Sequence, residues 1–236
     1  MVKMKNKIHM AVSMVKYNLQ IIFANKFVYF MIAAVAFYLL VTIIMLFNDV
    51  LPSEKDIYVT LLFPGLLILF YPVIFNIQND KDSRMLEIIF SIPNYRYKIY
   101  LLRFVISMLL LAAILFIMTA FSIFAVVHVP LFYMVYQLMY PLLFIASFSF
   151  LLTTLIKNAG GAAVVVVLFG LFFFIMAGVL QFSKWNLFFN PFDIPSDISY
   201  NIWVNILFQN RVMLVIGSVI SLLWTLINLQ KREQFV

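Results

Sequence analysis

Six apolar stretches separated by short polar segments dominate this sequence. They occupy residues 27–47, 57–78, 104–127, 133–156, 162–180 and 212–229. Each has the roughly 17–25 residues that a helix needs to cross the hydrocarbon layer of a bilayer. Backbone polar groups in that layer must pair within the protein, which favours helices over open sheets. The pattern predicts an all-α membrane protein with six transmembrane helices in a single transmembrane domain, residues 1–236.

The composition also indicates an integral membrane protein. Hydrophobic residues make up 66% of the chain and charged residues 11%, whereas soluble domains have about 25% charged residues. The sequence contains no long polar segment and no G-x-x-x-x-G-K-[ST] phosphate loop, so we expect no nucleotide-binding domain within it. Cysteine is absent, which excludes disulfides and cysteine-ligated metals.

The distribution of basic residues predicts the orientation. If both termini lie inside, thirteen of the sixteen lysines and arginines fall in inner segments, and only Lys55, Lys184 and Arg211 fall in outer ones. Cytoplasmic loops typically have such an excess. We therefore expect both termini in the cytoplasm of a multi-pass protein of the cell membrane, that is, the inner or plasma membrane of a bacterium.

Two segments outside the spans also suggest helices. Residues 1–26 place apolar side chains on one face and lysines on the other, which predicts an N-terminal amphipathic helix in the membrane interface. A cleaved signal peptide is disfavoured because the first apolar span exceeds the roughly 7–15 residues of its apolar core. Residues 181–211 are rich in aromatic side chains, and Asp197 can cap a helix at about 198–208. We expect re-entrant or interfacial helices there, compatible with an aromatic belt.

The longest charged break between two spans is residues 80–100. Its middle has one apolar face at helical spacing, formed by Met85, Leu86, Ile88, Ile89 and Ile92. Asp82 or Ser83 can cap this helix, and Pro93 ends it. The pattern predicts a cytoplasmic helix to which another protein binds. A helix resting on lipid head groups fits the pattern equally well.

The six spans as drawn contain no Asp, Glu, Lys, Arg or His. Proton-coupled carriers usually place an ionisable group at membrane depth, so this absence disfavours an ion-coupled carrier and an intramembrane enzyme. His9 and His128 fall outside the spans and belong to no metal-ligating cluster. Energy for transport would have to reach the chain through a cytoplasmic contact surface, for which residues 80–100 are the candidate.

This layout resembles the membrane subunit of an ABC-2 type ATP-binding cassette (ABC) transporter. Local similarity runs from Arg84 to Pro93 and on to Arg103. The family tends to have a leucine-glutamate-apolar helix, a small residue, a proline and an arginine before the third span. Those places are occupied here by Leu86-Glu87, Ser91, Pro93 and Arg96. The family often has a glycine near the start of this helix, where this chain has Asp82-Ser83.

The resemblance implies a permease that is not itself an enzyme. It would be an exporter subunit that pairs with a second permease subunit, identical or different, and is driven by a separate ABC ATPase that binds ATP and Mg²⁺. A cytoplasmic coupling helix near 83–91, between the second and third spans, would dock on that ATPase. The coupling residues implied are Arg84, Met85, Leu86, Glu87, Ile88, Ile89, Pro93 and Arg96.

In the family, the second and fifth spans tend to line the translocation path. Here the second span contains Pro64, Gly65 and Pro72, which predict a kink, and residues 160–163 at the fifth are small enough for close helix approach. The candidate path residues are Phe63, Phe70, Tyr71 and Phe172. Such a lining would suit an amphiphilic or apolar cargo.

The expected partners are the ABC ATPase, a second permease subunit and the lipid bilayer, with no nucleic acid. Two alternatives remain open. One is an ion-coupled carrier, and the other is an immunity or scaffold protein that binds a partner without transporting.

Overall fold

The computed structural model describes residues 26–47, 52–83, 96–196 and 198–230. The regular secondary structure in these ranges is α-helical. The helices are α1 Phe27–Phe47, α2 Glu54–Ile74, α3 Asn76–Asp82, α4 Arg96–Ala125, α5 Leu131–Ile156, α6 Ala159–Ile175 and α7 Tyr200–Gln230. Five helical stretches are long and apolar enough to cross a membrane, with α2 and α3 counted together, while α6 has 17 residues and is shorter.

Helix α5 lies at the centre of the bundle and packs against α2, α4, α6 and α7. Helix α1 packs mainly on α2. It reaches α4 through the buried Tyr38, whose hydroxyl donates to the Met118 carbonyl at 2.8 Å. Successive long helices alternate in direction, so the bundle has two ends. We name them the Lys55 end, with residues 52–53, 126–130, 176–196 and 198–199, and the Lys157 end, with residues 83 and 157–158.

Three helices begin earlier than the apolar pattern predicts. Helix α2 begins at Glu54 instead of residue 57, because the Asp56 carboxylate accepts hydrogen bonds from the Ser53 N–H at 2.9 Å and from its hydroxyl at 2.6 Å. Such a bond pairs a donor that would otherwise be orphaned at the helix start. Helices α4 and α7 begin at Arg96 and Tyr200, well before the predicted residues 104 and 212. Hydropathy assigns charged or polar first turns to loops, whereas the structure includes them in the helices.

The prediction of a separate helix at about 198–208 is wrong. Residues 200–208 are the first part of α7, which continues without interruption to Gln230. No proline occurs in residues 200–230, so nothing in this stretch forces the helix to stop. The described residues between α6 and α7 form turns, and no re-entrant helix is present among them.

Helix α7 binds these turns through its own side chains. The Trp203 Nε1–H donates to the Pro191 carbonyl at 3.4 Å. The Asn210 amide donates to the carbonyls of Lys184 and Asn186 at 3.0 and 2.8 Å. Asn210 is completely buried. Burying its side-chain amide without hydrogen-bond acceptors would be costly, and these two bonds avoid that cost.

Helix α2 contains two prolines, and only the second is followed by an irregularity. Pro64 lies within the continuous helix, whereas α2 ends at Ile74, two residues after Pro72. Proline removes a backbone donor and crowds the preceding turn. The hydrogen bonding still crosses the break, because the Phe75 N–H donates to the Tyr71 carbonyl at 3.0 Å and the Phe75 carbonyl accepts from the Asn79 N–H at 2.8 Å. Helices α2 and α3 are therefore joined by a one-residue interruption.

A buried ion pair joins α3 to α4 at the Lys157 end. Arg103 Nη1 lies 2.6 Å from Asp80 Oδ2 and 2.8 Å from Asn76 Oδ1. The two charged side chains are only 4% and 5% exposed. The buried Tyr100 ring lies 5.8 Å from the guanidinium carbon. The predicted spans excluded both charges, so the absence of ionisable groups does not extend to the helices as observed.

Two predicted elements lie outside the described residues. These are the interfacial helix at 1–26, apart from Lys26, and the coupling helix near 83–91, apart from Ser83.

We expect Gly217→Ala to lower the free energy of unfolding by about 1–3 kcal/mol through overpacking. A Cβ at Gly217 would lie 2.6 Å from Cε2 of Phe144, where α7 packs on α5. Gly170→Ala is the matched control, since a Cβ there meets nothing within 4 Å and alanine favours helix. Thermal unfolding of the purified protein measures both. Equal losses at the two positions would contradict the close contact at Gly217.

Removing one partner of the Asp80–Arg103 pair should destabilise the protein by about 3–5 kcal/mol, because it leaves a buried charge without its counterion. Replacing both, as Asp80→Leu with Arg103→Met, should recover most of that loss. Asp193→Ala provides the comparison: its 3.3 Å ion pair with Lys55 has side chains that are about half exposed, and exposed pairs contribute about 0–1 kcal/mol. A double variant no better than the worse single variant would contradict this account.

Candidate functional site

An apolar cavity of about 610 Å³ lies between α1, α2, α5 and α6. Helix α2 forms its longest wall, from Tyr58 to Val73, which at 1.5 Å per residue is about 22 Å long. Apart from Tyr58 and Ser149, the lining side chains are apolar. Ligand sites in proteins are typically concave and mostly apolar, with few polar groups that orient the ligand. We call this feature the apolar cavity.

Aromatic contacts join the walls of the apolar cavity. Phe63 of α2 lies with its ring centroid 6.3 Å from that of Phe37 in α1 and 5.7 Å from that of Phe174 near the end of α6. Phe30 of α1 stacks on Phe70 of α2 at 6.0 Å. These separations are within the range of favourable aromatic pairs. A helix that shifts at this site would have to exchange these contacts.

The predicted path residues are not all at this cavity. Phe63 and Phe70 line it. Tyr71 is buried on another side of α2, where its ring stacks on Phe30 and Phe75 at 5.4 and 5.3 Å. Phe172 is 55% exposed on the outer side of α6. The structure therefore brings two of the four residues together.

The predicted coupling residues from Arg84 to Pro93 lie outside the described residues. Arg96 begins α4. Ser83 and Arg96, the described residues on either side of residues 84–95, both lie at the Lys157 end. Asp80 lies just before that segment and Arg103 just after it, and their ion pair joins the two sides.

A short route connects this end to the apolar cavity. Phe75, between α2 and α3, lies with its ring centroid 6.4 Å from that of Phe70 in the cavity wall. The next residue, Asn76, accepts a hydrogen bond from Arg103. The ion pair and the cavity wall are therefore separated by about one turn of helix.

A second buried arginine lies at the Lys55 end. Arg211 is only 6% exposed. Its Nε donates to Gln137 Oε1 at 2.8 Å, its Nη1 to Asn210 Oδ1 at 3.0 Å and its Nη2 to the Phe189 carbonyl at 3.3 Å. Its guanidinium carbon is 5.4 Å from the centroid of the Tyr140 ring. We call this group the Arg211 cluster.

Sequence reasoning missed the Arg211 cluster because it counted Arg211 as part of an outer loop. The available signal was the polar stripe of α7. Its buried side chains include a polar series at helical spacing, namely Asn210, Arg211, Ser218, Ser221, Thr225 and Asn228. Large apolar residues of the same helix, such as Ile216 and Leu223, are about half exposed. The pattern is that of a helix with a polar inner face and an apolar surface.

No group of three or more metal-ligating side chains occurs among the residues that the structure describes. The candidate site consists of the apolar cavity and of one buried arginine at each end of the bundle, Arg211 at the Lys55 end and Arg103 at the Lys157 end.

Comparison with known proteins identifies the family. A family model described as "ABC-2 family transporter protein" matches residues 47–227, which include α2 to α6 and most of α7. Searches among curated proteins and among solved structures gave no match. The family match spans well over half of the chain, and it agrees with an apolar bundle of long helices. The chain therefore belongs to the ABC-2 family of transporter proteins and is a multi-pass membrane permease.

Proposed function

We propose that this permease is the membrane-spanning subunit of an ABC exporter, that it forms the translocation path as a dimer, and that a separate ATPase subunit drives it. Family membership supports the permease role. The sequence contains no phosphate loop, so ATP would be bound with Mg²⁺ and hydrolysed in the partner chain.

In this proposal all six apolar helices cross the membrane and the Lys157 end is cytoplasmic. The excess of lysine and arginine on that side supports the orientation. Helix α6 has 17 residues, or about 25 Å, and the apolar residues of the turns that follow it extend its length. Both termini would then lie in the cytoplasm.

The single observation that best supports ATPase coupling is the buried Asp80–Arg103 pair on the two sides of residues 84–95. A displacement of that segment would act on α3 and α4 together, because separating a buried pair is costly. Helix α3 continues through Phe75 into α2, which forms the long wall of the apolar cavity. Movement of a coupling helix near 83–91 would thereby change the shape of the cavity.

The apolar cavity is the proposed cargo site in each subunit. Its lining by Phe63 and Phe70 favours an apolar or amphiphilic cargo over a sugar or an inorganic ion. In a dimer, the exposed Phe172 would face either the second subunit or lipid. The proposal does not use Tyr71 as a path residue, because its ring packs between Phe30 and Phe75.

The ATPase partner can be tested by purifying the tagged protein from native membranes in mild detergent. We expect a co-purifying ATPase that has a phosphate loop. Glu87→Arg, or Asp at Met85, Ile88 and Ile89 together, should remove most of that ATPase, because each disrupts the predicted docking face. Glu54→Arg is the matched control, since it makes the same charge reversal at the other end of the bundle and should leave co-purification unchanged.

A second measurement separates this proposal from an ion-coupled carrier. In proteoliposomes, transport should require the ATPase and ATP. Cargo movement by the permease alone, driven by an ion gradient, would contradict the proposal.

The cysteine-free sequence allows a direct test of orientation. We expect Ser83→Cys, at the exposed end of α3, to react with a membrane-impermeant maleimide only after cells are opened. Lys184→Cys, in the exposed turns of the Lys55 end, should react in intact cells. The reverse pattern would place residues 84–95 outside the cell, beyond the reach of any ATPase.

A further inference from the structure

We propose that the cargo is an anionic amphiphile, whose hydrocarbon chain lies in the apolar cavity and whose phosphate or carboxylate head group is recognised by Arg211. This inference deepens the proposed function and rests on it, because it names the class of cargo for the same cavity.

The two buried arginines differ in the charge of their partners. Arg103 has a carboxylate partner at 2.6 Å. Arg211 is as deeply buried, at 6% exposure, but its three acceptors are two side-chain amide oxygens and one backbone carbonyl. In the described ranges, no carboxylate forms an ion pair with Arg211. Its positive charge is therefore solvated by dipoles alone.

The N–H donors of the Arg211 guanidinium suit an anionic ligand. An arginine side chain has five N–H donors in a planar fork that suits carboxylate and phosphate. Three nitrogens each donate once to the acceptors named above, and the guanidinium also interacts with the Tyr58 hydroxyl; all of these partners are neutral. An unpaired charge is expensive to bury, and an ionisable residue within a membrane bundle commonly serves a functional site. An anionic ligand would supply the missing negative charge, and its oxygens could take the place of the Tyr58 hydroxyl beside the guanidinium.

The positive charge of Arg211 lies beside the apolar cavity. Tyr58 lines the cavity, and its hydroxyl donates to the Phe189 carbonyl at 3.3 Å. The same carbonyl accepts from Arg211 at 3.3 Å. One backbone oxygen therefore links the cavity wall to the guanidinium. If Tyr58 turned its hydroxyl towards a head group, the Phe189 carbonyl would keep its bond from Arg211.

The resulting site has the polarity of an amphiphile. The wall from Val59 to Val73 is apolar apart from the helix backbone, and the fixed positive charge lies beyond Tyr58 at one end. A cationic head group would be repelled there, and a neutral one would leave the Arg211 charge unpaired. An anionic group on an alkyl chain fits both parts of the site.

The test uses the full-length protein in nanodiscs of zwitterionic lipid, with a photoreactive alkyl phosphate whose reactive group is on the chain. Labelling should map to peptides of α2 and α6. Competitors are the unlabelled alkyl phosphate, the alcohol and the trimethylammonium compound of the same chain length, and inorganic phosphate. We expect the alkyl phosphate to compete at concentrations about tenfold or more below the alcohol, as one or two charge-assisted hydrogen bonds would give. The cationic compound and inorganic phosphate should compete least.

Variants then assign the preference to residues. Arg211→Gln should abolish the advantage of the phosphate over the alcohol, Arg211→Lys should keep part of it, and Tyr58→Phe should reduce it. Lys184→Gln is the matched control, because it removes an exposed positive charge at the same end and should leave the preference intact. If Arg211→Gln fails to fold, Tyr58→Phe and the head-group series on the unmodified protein decide the question.

The outcomes separate this inference from the proposed function. Equal competition by phosphate and alcohol in the unmodified protein, with labelling still in α2 and α6, overturns the head-group recognition and leaves the cavity as a site for apolar cargo. A loss of preference in Lys184→Gln equal to that in Arg211→Gln overturns it as well. An absence of labelling in α2 and α6 by the photoreactive alkyl phosphate overturns this inference and the cavity as the cargo site, whereas the ATPase-driven permease is decided separately by the co-purification and proteoliposome experiments.

Discussion

The hydrocarbon chains of lipid neither donate nor accept hydrogen bonds, and this bundle accordingly turns its polar side chains inward. Helix α7 shows the consequence most clearly. Ser218 and Thr225 bond the carbonyls of Leu214 and Ser221 in the preceding turn at 2.7 and 2.8 Å, and Asn228 reaches Thr154 of α5 at 3.4 Å. Because the outer surface is apolar, the hydrophobic effect adds little to helix association here. Close packing at Gly65 and Gly217 and the satisfaction of buried polar groups have to stabilise the fold.

The two buried arginines meet this requirement in different ways. Arg103 has a carboxylate and an amide oxygen, so its site is electrically complete and serves to hold α3 against α4. Arg211 is held by neutral oxygens from α5, α7 and the turns between α6 and α7, so its site is positioned but not neutralised. Helix α2 is connected to both regions, through Phe75 and α3 at one end and through Tyr58 at the other. The helix that lines the cavity is thus also the helix that connects the two charged ends.

Much of this architecture is predictable from the sequence, and the failures have two causes. The first span is predicted with both of its ends, and the fourth to within two residues at its start, because apolar periodicity and length are strong signals. Helices α2, α4 and α7 begin in charged or polar turns, which hydropathy assigns to loops. Ser53 and Asp56 show that such residues build a helix start. The ion pair and the Arg211 cluster could not be predicted, because they depend on which distant residues the packing brings together. The proposed coupling segment remains a prediction.

In the proposed arrangement of six membrane-crossing helices, the length of α6 has a consequence for the surrounding bilayer. Its regular helix covers about 25 Å, a few ångströms less than the roughly 30 Å of a typical hydrocarbon layer. A short hydrophobic segment is commonly accommodated by local thinning of the membrane, at a cost of fractions of a kcal/mol per ångström. Because α6 is also a wall of the apolar cavity, such thinning would bring lipid head groups closer to the cavity than elsewhere around the bundle. The head group of a lipid-like molecule that entered the cavity there from its leaflet would cross a shorter distance of hydrocarbon.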